Sequence, residues 1–333
     1  MATCRSCSAL MLAAVSCMIA AITLGTGATF AAALRPPSGL YGIGANFNLV
    51  RIDPKTGNIT TVGPAVPFLQ SQQLAAVDPV SSIFYAVGQN ATGQVVIGLD
   101  MNTGLVVSQT PLPFVSSMFI GVGQVFDFDP LTNRLIAMGR EAGNSTHFIL
   151  SINPITGVTS NVALIPSTTS TDLLGGSSGF DPSAGIQWVE LDVSNNGTLE
   201  TDLFAVNLTT GQIAHQIPDK YNVNSMAFDQ GTNSMLCFTF DDASTTRQLM
   251  SLDSATGALK KIGTVKDYTY TNGDIVAFDS EKRILYGIFT KQSGAPATTL
   301  FLVGVHPETA AVVSSVQLCQ DPASCLWAMV YLP

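Results

Sequence analysis

From Leu40 onward the chain is a succession of short apolar runs broken by Pro, Gly, Asp, Asn and Thr. The runs have the length and residue types of β-strands, and the breakers are those of tight turns. One breaker recurs. An apolar strand ends in Asp or Asn, two residues intervene, and Thr-Gly follows. It occurs as Ile52-Asp53-Pro54-Lys55-Thr56-Gly57, then at Leu99 to Gly104, Ile152 to Gly157, Val206 to Gly211 and Leu252 to Gly257. A sixth copy, Val305 to Ala310, carries His306 and Ala310 where the others carry Asp or Asn and Gly. The unit is a hairpin turn: the Asx side chain accepts from nearby backbone amides and Gly takes the positive φ of a bulged turn.

A second marker keeps the same period. Strands ending in Asp recur as Ala76-Val77-Asp78, Asp127-Phe128-Asp129, Gly179-Phe180-Asp181, Ala227-Phe228-Asp229 and Ala277-Phe278-Asp279, and each is followed by a short turn and another apolar run. Two hairpin markers per period mean four strands per period, which is a propeller blade. Six Thr-Gly-type turns stand against only five Asp-ended strands, so one inner strand is missing upstream. The first blade begins at Leu40-Tyr41-Gly42-Ile43, which matches the second strand Leu285-Tyr286-Gly287-Ile288. The segment Leu326 to Tyr331 has the character of the missing strand, so the C-terminus is expected to close the ring and remove a free sheet edge. The predicted fold is all-β, a six-bladed β-propeller over 34–333.

These units resemble those of the broad group of propellers with YVTN-, TolB- and NHL-like repeats, over about residues 38–333. They are turn grammar, so they carry architecture rather than a particular family. Some six-bladed propellers are metal-dependent lactonases or esterases that hold a cation in the central channel on Glu, Asp and Asn side chains. By that resemblance Asn224, Asn272 and Asp274 are the residues that could contribute to a channel Ca²⁺, although no Glu partner appears at the start of an inner strand.

Composition adds constraints. Charged residues make up only 11% of the chain and acids outnumber bases 23 to 14, which disfavours nucleic acid as a partner. Arg5, the apolar stretch Ala9 to Leu24 and the small residues up to Ala33 read as a signal peptide over 1–33 with an A-x-A cleavage site; an uncleaved anchor is the alternative. No later stretch is long and apolar enough to span a membrane. Three cysteines lie beyond that segment. Cys319 and Cys325 flank the Asp321-Pro322 turn and are expected to form a disulfide at the ring seam, while Cys237 lies in an apolar run as a buried, inert thiol. Sequons at Asn58, Asn90, Asn144, Asn196 and Asn207 predict glycosylation on a secretory route.

Candidate chemistry is thin. The Asp residues at the inner-strand ends are read as turn caps rather than a ring of metal ligands. Gly175-Gly176-Ser177-Ser178-Gly179 matches G-x-S-x-G, but a β-strand follows where a nucleophile elbow needs a helix. His147, His215 and His306 are isolated. No catalytic residue, metal site or cofactor is therefore assigned. Two connections between blades carry Tyr with Asn and Asp, a mix suited to sugar or peptide recognition: 219–224, with Tyr221 and Asn224, and 266–274, with Tyr268, Tyr270, Asn272 and Asp274. Predicted glycans at Asn90, Asn144 and Asn196 crowd the same face on the other side of the ring, leaving this sector open. The expectation is a secreted or cell-surface glycoprotein that binds an extracellular protein, peptide or carbohydrate. A metal-dependent propeller hydrolase is the alternative, and a structural coat or matrix role stays open.

Overall fold

A computed structural model describes residues 35–67, 69, 74–112, 118–120, 125–141, 147–165, 177–195, 198–241, 246–269, 275–292, 299–320 and 325–333. Residues 36–333 form one unit in which six small antiparallel sheets make a six-bladed β-propeller, as the repeat count requires. Each sheet runs from an inner strand at the channel, here strand a, through b and c to an outer strand d. Blade 4 shows the plan: Ser178–Asp181, Ile186–Asn195, Thr198–Asn207 and Gln212–Pro218. Strands b and c are buried on both faces, and Leu300–Val305 is buried at every position. Strand d faces solvent on one side, so Gln212–Pro218 alternates between exposed and half-buried.

The ring closes as the sequence predicts. Leu326–Leu332 pairs antiparallel with Gly39–Gly44, with Leu40 opposite Tyr331 and Ile43 opposite Ala328, and becomes strand a of blade 1. Cys319, at the end of the last strand d, is bonded to Cys325 at the start of this closing strand. By the chain-entropy argument so short a loop contributes about 2 kcal/mol. Cys237 is free and fully buried, and burial pushes its thiol pKa far up, so the thiolate is not available.

Packing explains the repeat more fully than turn chemistry does. Six apolar clusters lie one at each blade-to-blade interface. Across the same interfaces each Thr-Gly turn seats its glycine on the outer strand of the preceding blade. A Cβ on Gly57 would stand 2.5 Å from the Gln317 carbonyl oxygen, one on Gly157 2.3 Å from that of Pro111, and one on Gly211 2.1 Å from that of Val162. These glycines also hold φ near +70°. The glycine is therefore fixed twice, by left-handed backbone and by close approach. The sixth copy shows the exchange that this permits. Ala310 adopts φ 57° without glycine, and its methyl meets Gly263, where a second Cβ would lie 2.8 Å away. His306 replaces the capping Asx, its Nδ1 accepting from the Glu308 amide.

The structure departs from a strict four-strand count in blades 3 and 6. There strand a comes in two pieces, Met118–Ile120 with Phe126–Asp129 and Tyr268–Thr269 with Val276–Asp279, both pieces pairing with the same strand b. Strand b is eight residues long in each of these blades, while the Asp-ended piece of strand a has four. The far half of strand b takes its second partner from the incoming connection.

Candidate functional site

The Asp residues at the ends of strand a are turn caps. Asp78 accepts from the Val80 and Ser81 amides, Asp181 from those of Ser183 and Ala184, and Asp129 from the Leu131 amide and the Thr132 hydroxyl. Asp229 does more. It accepts from the Gly231 amide and takes a bidentate pair from Arg283 of the next blade at 2.8 and 2.7 Å. Burial works against its ionisation, but Arg283, Thr232 and the Gly231 amide together hold the carboxyl below the usual range. The G-x-S-x-G serine is likewise structural. Ser177 is buried and donates to the Val223 carbonyl oxygen, its amide donates to Glu190, and strand 178–181 follows it. His215 stacks on Trp188, and His147 is buried within its strand.

The rim residues singled out in the sequence separate. Tyr221 is 44% exposed, on a connection held by Asp219, which accepts from the Tyr221 and Val223 amides, and by Asn222 in left-handed backbone. Asn224 lies beside it, partly buried. Its Oδ1 accepts from the buried Arg247 at 2.8 Å and its Nδ2 donates to Asn222, so its polar ends are already engaged. Tyr268 is not a surface anchor. It belongs to the first piece of strand a in blade 6, opposite Lys291, so its ring turns inward at 6% exposure against Phe289 and Phe301. Its hydroxyl is hydrogen-bonded to Ser315. Tyr270, Asn272 and Asp274 lie outside the described residues, as do Asn144 and Asn196. Asn58 is exposed in the strand c–d turn of blade 1, and Asn90 sits at the tip of the b–c hairpin of blade 2. Asn207 caps the c–d turn of blade 4 through the Thr209 and Thr210 amides.

The axial channel holds a group that sequence reasoning passed over. Register aligns one position of strand a in all six blades as Ala76, Asp127, Gly179, Ala227, Ala277 and Val330. Five are small or apolar, and the sixth, Asp127 of blade 3, is a carboxylate. On strand b, another aligned position reads Leu40, Phe84, Leu135, Gln187, Met235 and Leu285. Here Gln187 is the polar exception. The two exceptions meet across the interface of blades 3 and 4: Gln187 Nε2 donates to Asp127 Oδ2 at 2.9 Å. Gln187 is fully buried, and its Oε1 has no hydrogen-bond partner among the described residues. Burial raises the Asp127 carboxyl to about 6, with the Gln187 bond pulling the other way. The readable signal was Asp-Phe-Asp where the repeat has a small residue before Phe-Asp.

Around Asp127 the channel changes character. Toward the strand a–b turns it opens into a cavity of about 380 Å³ lined by Val77, Phe128, Phe180, Phe228, Phe278 and Tyr331 from the six inner strands, with Pro79, Pro130 and Pro182 at the mouth. Toward the other face it narrows to about 100 Å³ beside Ser177, Ser178 and Ser225. Asp127 lines both parts. Among the described residues no three His, Cys, Asp or Glu side chains lie together in a metal-binding group.

A carboxyl whose folded pKa is raised favours the fold only while it is protonated. Stability from this group is therefore intact below the ordinary carboxylate range and falls as pH rises from about 4 to about 6. Asp127→Asn, which keeps an acceptor for Gln187, is expected to raise stability at pH 7 by on the order of 1–3 kcal/mol and to leave it unchanged at pH 4. Thermal melts of both proteins at the two pH values check this, and an equal effect at pH 4 counts against it.

No known family profile matches the chain, and no curated protein matches it in sequence. Solved structures do share the fold. TolB from Acinetobacter baumannii superposes with a TM-score of 0.58 at 10% identity, over 89% of this chain and 67% of its own. A chain from a nidogen–laminin complex gives 0.57 at 11% identity, over 89% of this chain and 99% of its own. Likeness at this level places the chain in the architectural class of six-bladed β-propellers.

Proposed function

We propose that this chain is a secreted propeller that works by binding an extracellular protein, peptide or carbohydrate on the face carrying the connections between blades. The observation that carries this reading is Tyr221: a large ring, 44% exposed, on a connection whose backbone is already fixed by Asp219 and Asn222. A preset aromatic loses little conformational entropy on contact, which is what a binding anchor requires. Asn224 beside it, and Tyr270, Asn272 and Asp274 on the next connection, complete the proposed rim. The disulfide at the seam and the exposed sequon at Asn58 support an oxidising, secretory route. The similar fold of a chain from a nidogen–laminin complex supports reading this architecture as one used for protein recognition.

The test is a screen of the 34–333 protein against extracellular matrix proteins, peptide libraries and glycans, followed by Tyr221→Ala and Tyr270→Ala. For any partner found, each change is expected to weaken binding by about 1–3 kcal/mol with the melting temperature unchanged. Binding that survives both changes rejects the rim. Lactone hydrolysis that appears on adding Ca²⁺ to the same protein supports the hydrolase reading instead.

A further inference from the structure

The aromatic cavity opens on the face opposite the proposed rim, and nothing in the blade architecture demands what lies at its base. Five inner strands fill the layer below the Phe ring with Ala, Gly or Val, and the third places a carboxylate there. Asp127 is the only acidic side chain among the described residues lining either part of the channel; Pro333, which bears the C-terminal carboxylate, lines the wide part, and no basic side chain among the described residues lines either. Gln187 donates to Oδ2 of that carboxylate, and Asp127 lines both parts of the channel. One charged acceptor therefore sits beneath an apolar funnel. A neutral hydrocarbon would fill the funnel and leave the carboxylate without a counter-ion. An anion would meet a carboxylate with no cation to offset it. A group with N–H donors and one positive charge satisfies the carboxylate, and the rings above Asp127 favour a cation passing over their faces.

We propose that the axial channel is a binding site for a small apolar amine that enters from the a–b turn face, its hydrocarbon or aryl body among Phe128, Phe180, Phe228 and Phe278 and its ammonium on Asp127. Gln187 is the positioning residue. It donates to the carboxylate from blade 4, across the blade interface, and so fixes its orientation at the edge of the channel. The cavity of about 380 Å³ suits a body the size of one aromatic ring with a short alkyl arm. The site is separate from the Tyr221 rim, so either can fail without the other.

Titration calorimetry at pH 7.5, a value chosen so that a carboxyl of pKa about 6 is ionised, should be run on the 34–333 protein with 2-phenylethylamine, 2-phenylethanol and phenylacetate. These probes share one body and differ in charge. The amine is expected to bind at least about tenfold more tightly than the alcohol, and phenylacetate not to bind. Asp127→Asn, which is expected to melt no lower than the parent, should remove the preference for the amine while leaving weak binding of the alcohol. Gln187→Leu should weaken the amine by about tenfold and leave the alcohol unchanged. The proposal is overturned if all three probes bind alike, if the amine shows no heat at millimolar concentration, or if Asp127→Asn binds it as well as the parent does.

Discussion

Deleting residues 326–333 leaves a chain that does not reach the native state. The closing strand buries Leu326, Ala328, Met329, Tyr331 and Leu332, each at 9% exposure or less. At roughly 1.5–3 kcal/mol for each large apolar side chain, their burial contributes on the order of 5–10 kcal/mol, which is comparable to the whole stability of a typical domain. The loss is not confined to blade 1. Met329 and Tyr331 pack with Ile275, Ala277 and Tyr286 of blade 6, and Leu332 packs with Leu69 and Phe84 at blade 2, so two interfaces open together. The truncated protein is expected to be insoluble or to lack a cooperative thermal transition and near-ultraviolet circular dichroism. Supplying residues 326–333 as a synthetic peptide should restore part of the signal. A truncated protein that melts within a few degrees of the full chain shows the ring does not depend on its seam.

Gly211→Ala carries the second large effect. The added methyl faces the Val162 carbonyl oxygen at 2.1 Å, at a position whose φ is +70°. The left-handed backbone alone costs about 1–2 kcal/mol in a residue with a Cβ, and displacing a neighbouring strand costs about 1–3 more. A total of about 2–5 kcal/mol is expected, seen as a drop of several degrees in melting temperature. Ala310→Gly is the matched control. It relieves φ 57° at a position where the neighbour already accommodates a methyl, so its effect is expected to be within about 1 kcal/mol of zero. Equal losses from the two substitutions would sink the idea that close approach, and not the turn alone, selects glycine.

The blade count and its closure were legible because turns announce themselves locally. Thr-Gly at Gly57 and Gly104, and the Asp caps at Asp78 and Asp129, need only their own few neighbours to be read. Leu326 to Tyr331 was legible by subtraction, as an inner strand missing from blade 1. Tyr268 was misplaced for the opposite reason. Whether the far half of strand b recruits a partner depends on where the incoming connection passes, which no local pattern records. The Asp127–Gln187 pair joins residues 60 apart in sequence through an interface that exists only in the closed ring. Each residue alone looks like an unremarkable polar substitution in a repeat, and only the register shows that each is the exception in its own layer.

The seating of each Thr-Gly turn on its neighbour bears on how such a chain can drift. In three of the six joints the receiving atom is a main-chain carbonyl oxygen, that of Gln317, Pro111 or Val162, and in a fourth Gly104 meets the backbone of Gly63. Main-chain atoms are common to every amino acid, so at the three carbonyl joints the receiving blade can change its side chains without disturbing the joint, whereas at the fourth a Cβ on Gly63 would itself meet Gly104 at 2.5 Å. What selection must keep is a small residue able to turn left-handed on one side and a strand at the right height on the other. Two rings built on such joints can diverge until little of their sequence agrees and still keep the same handshake between blades.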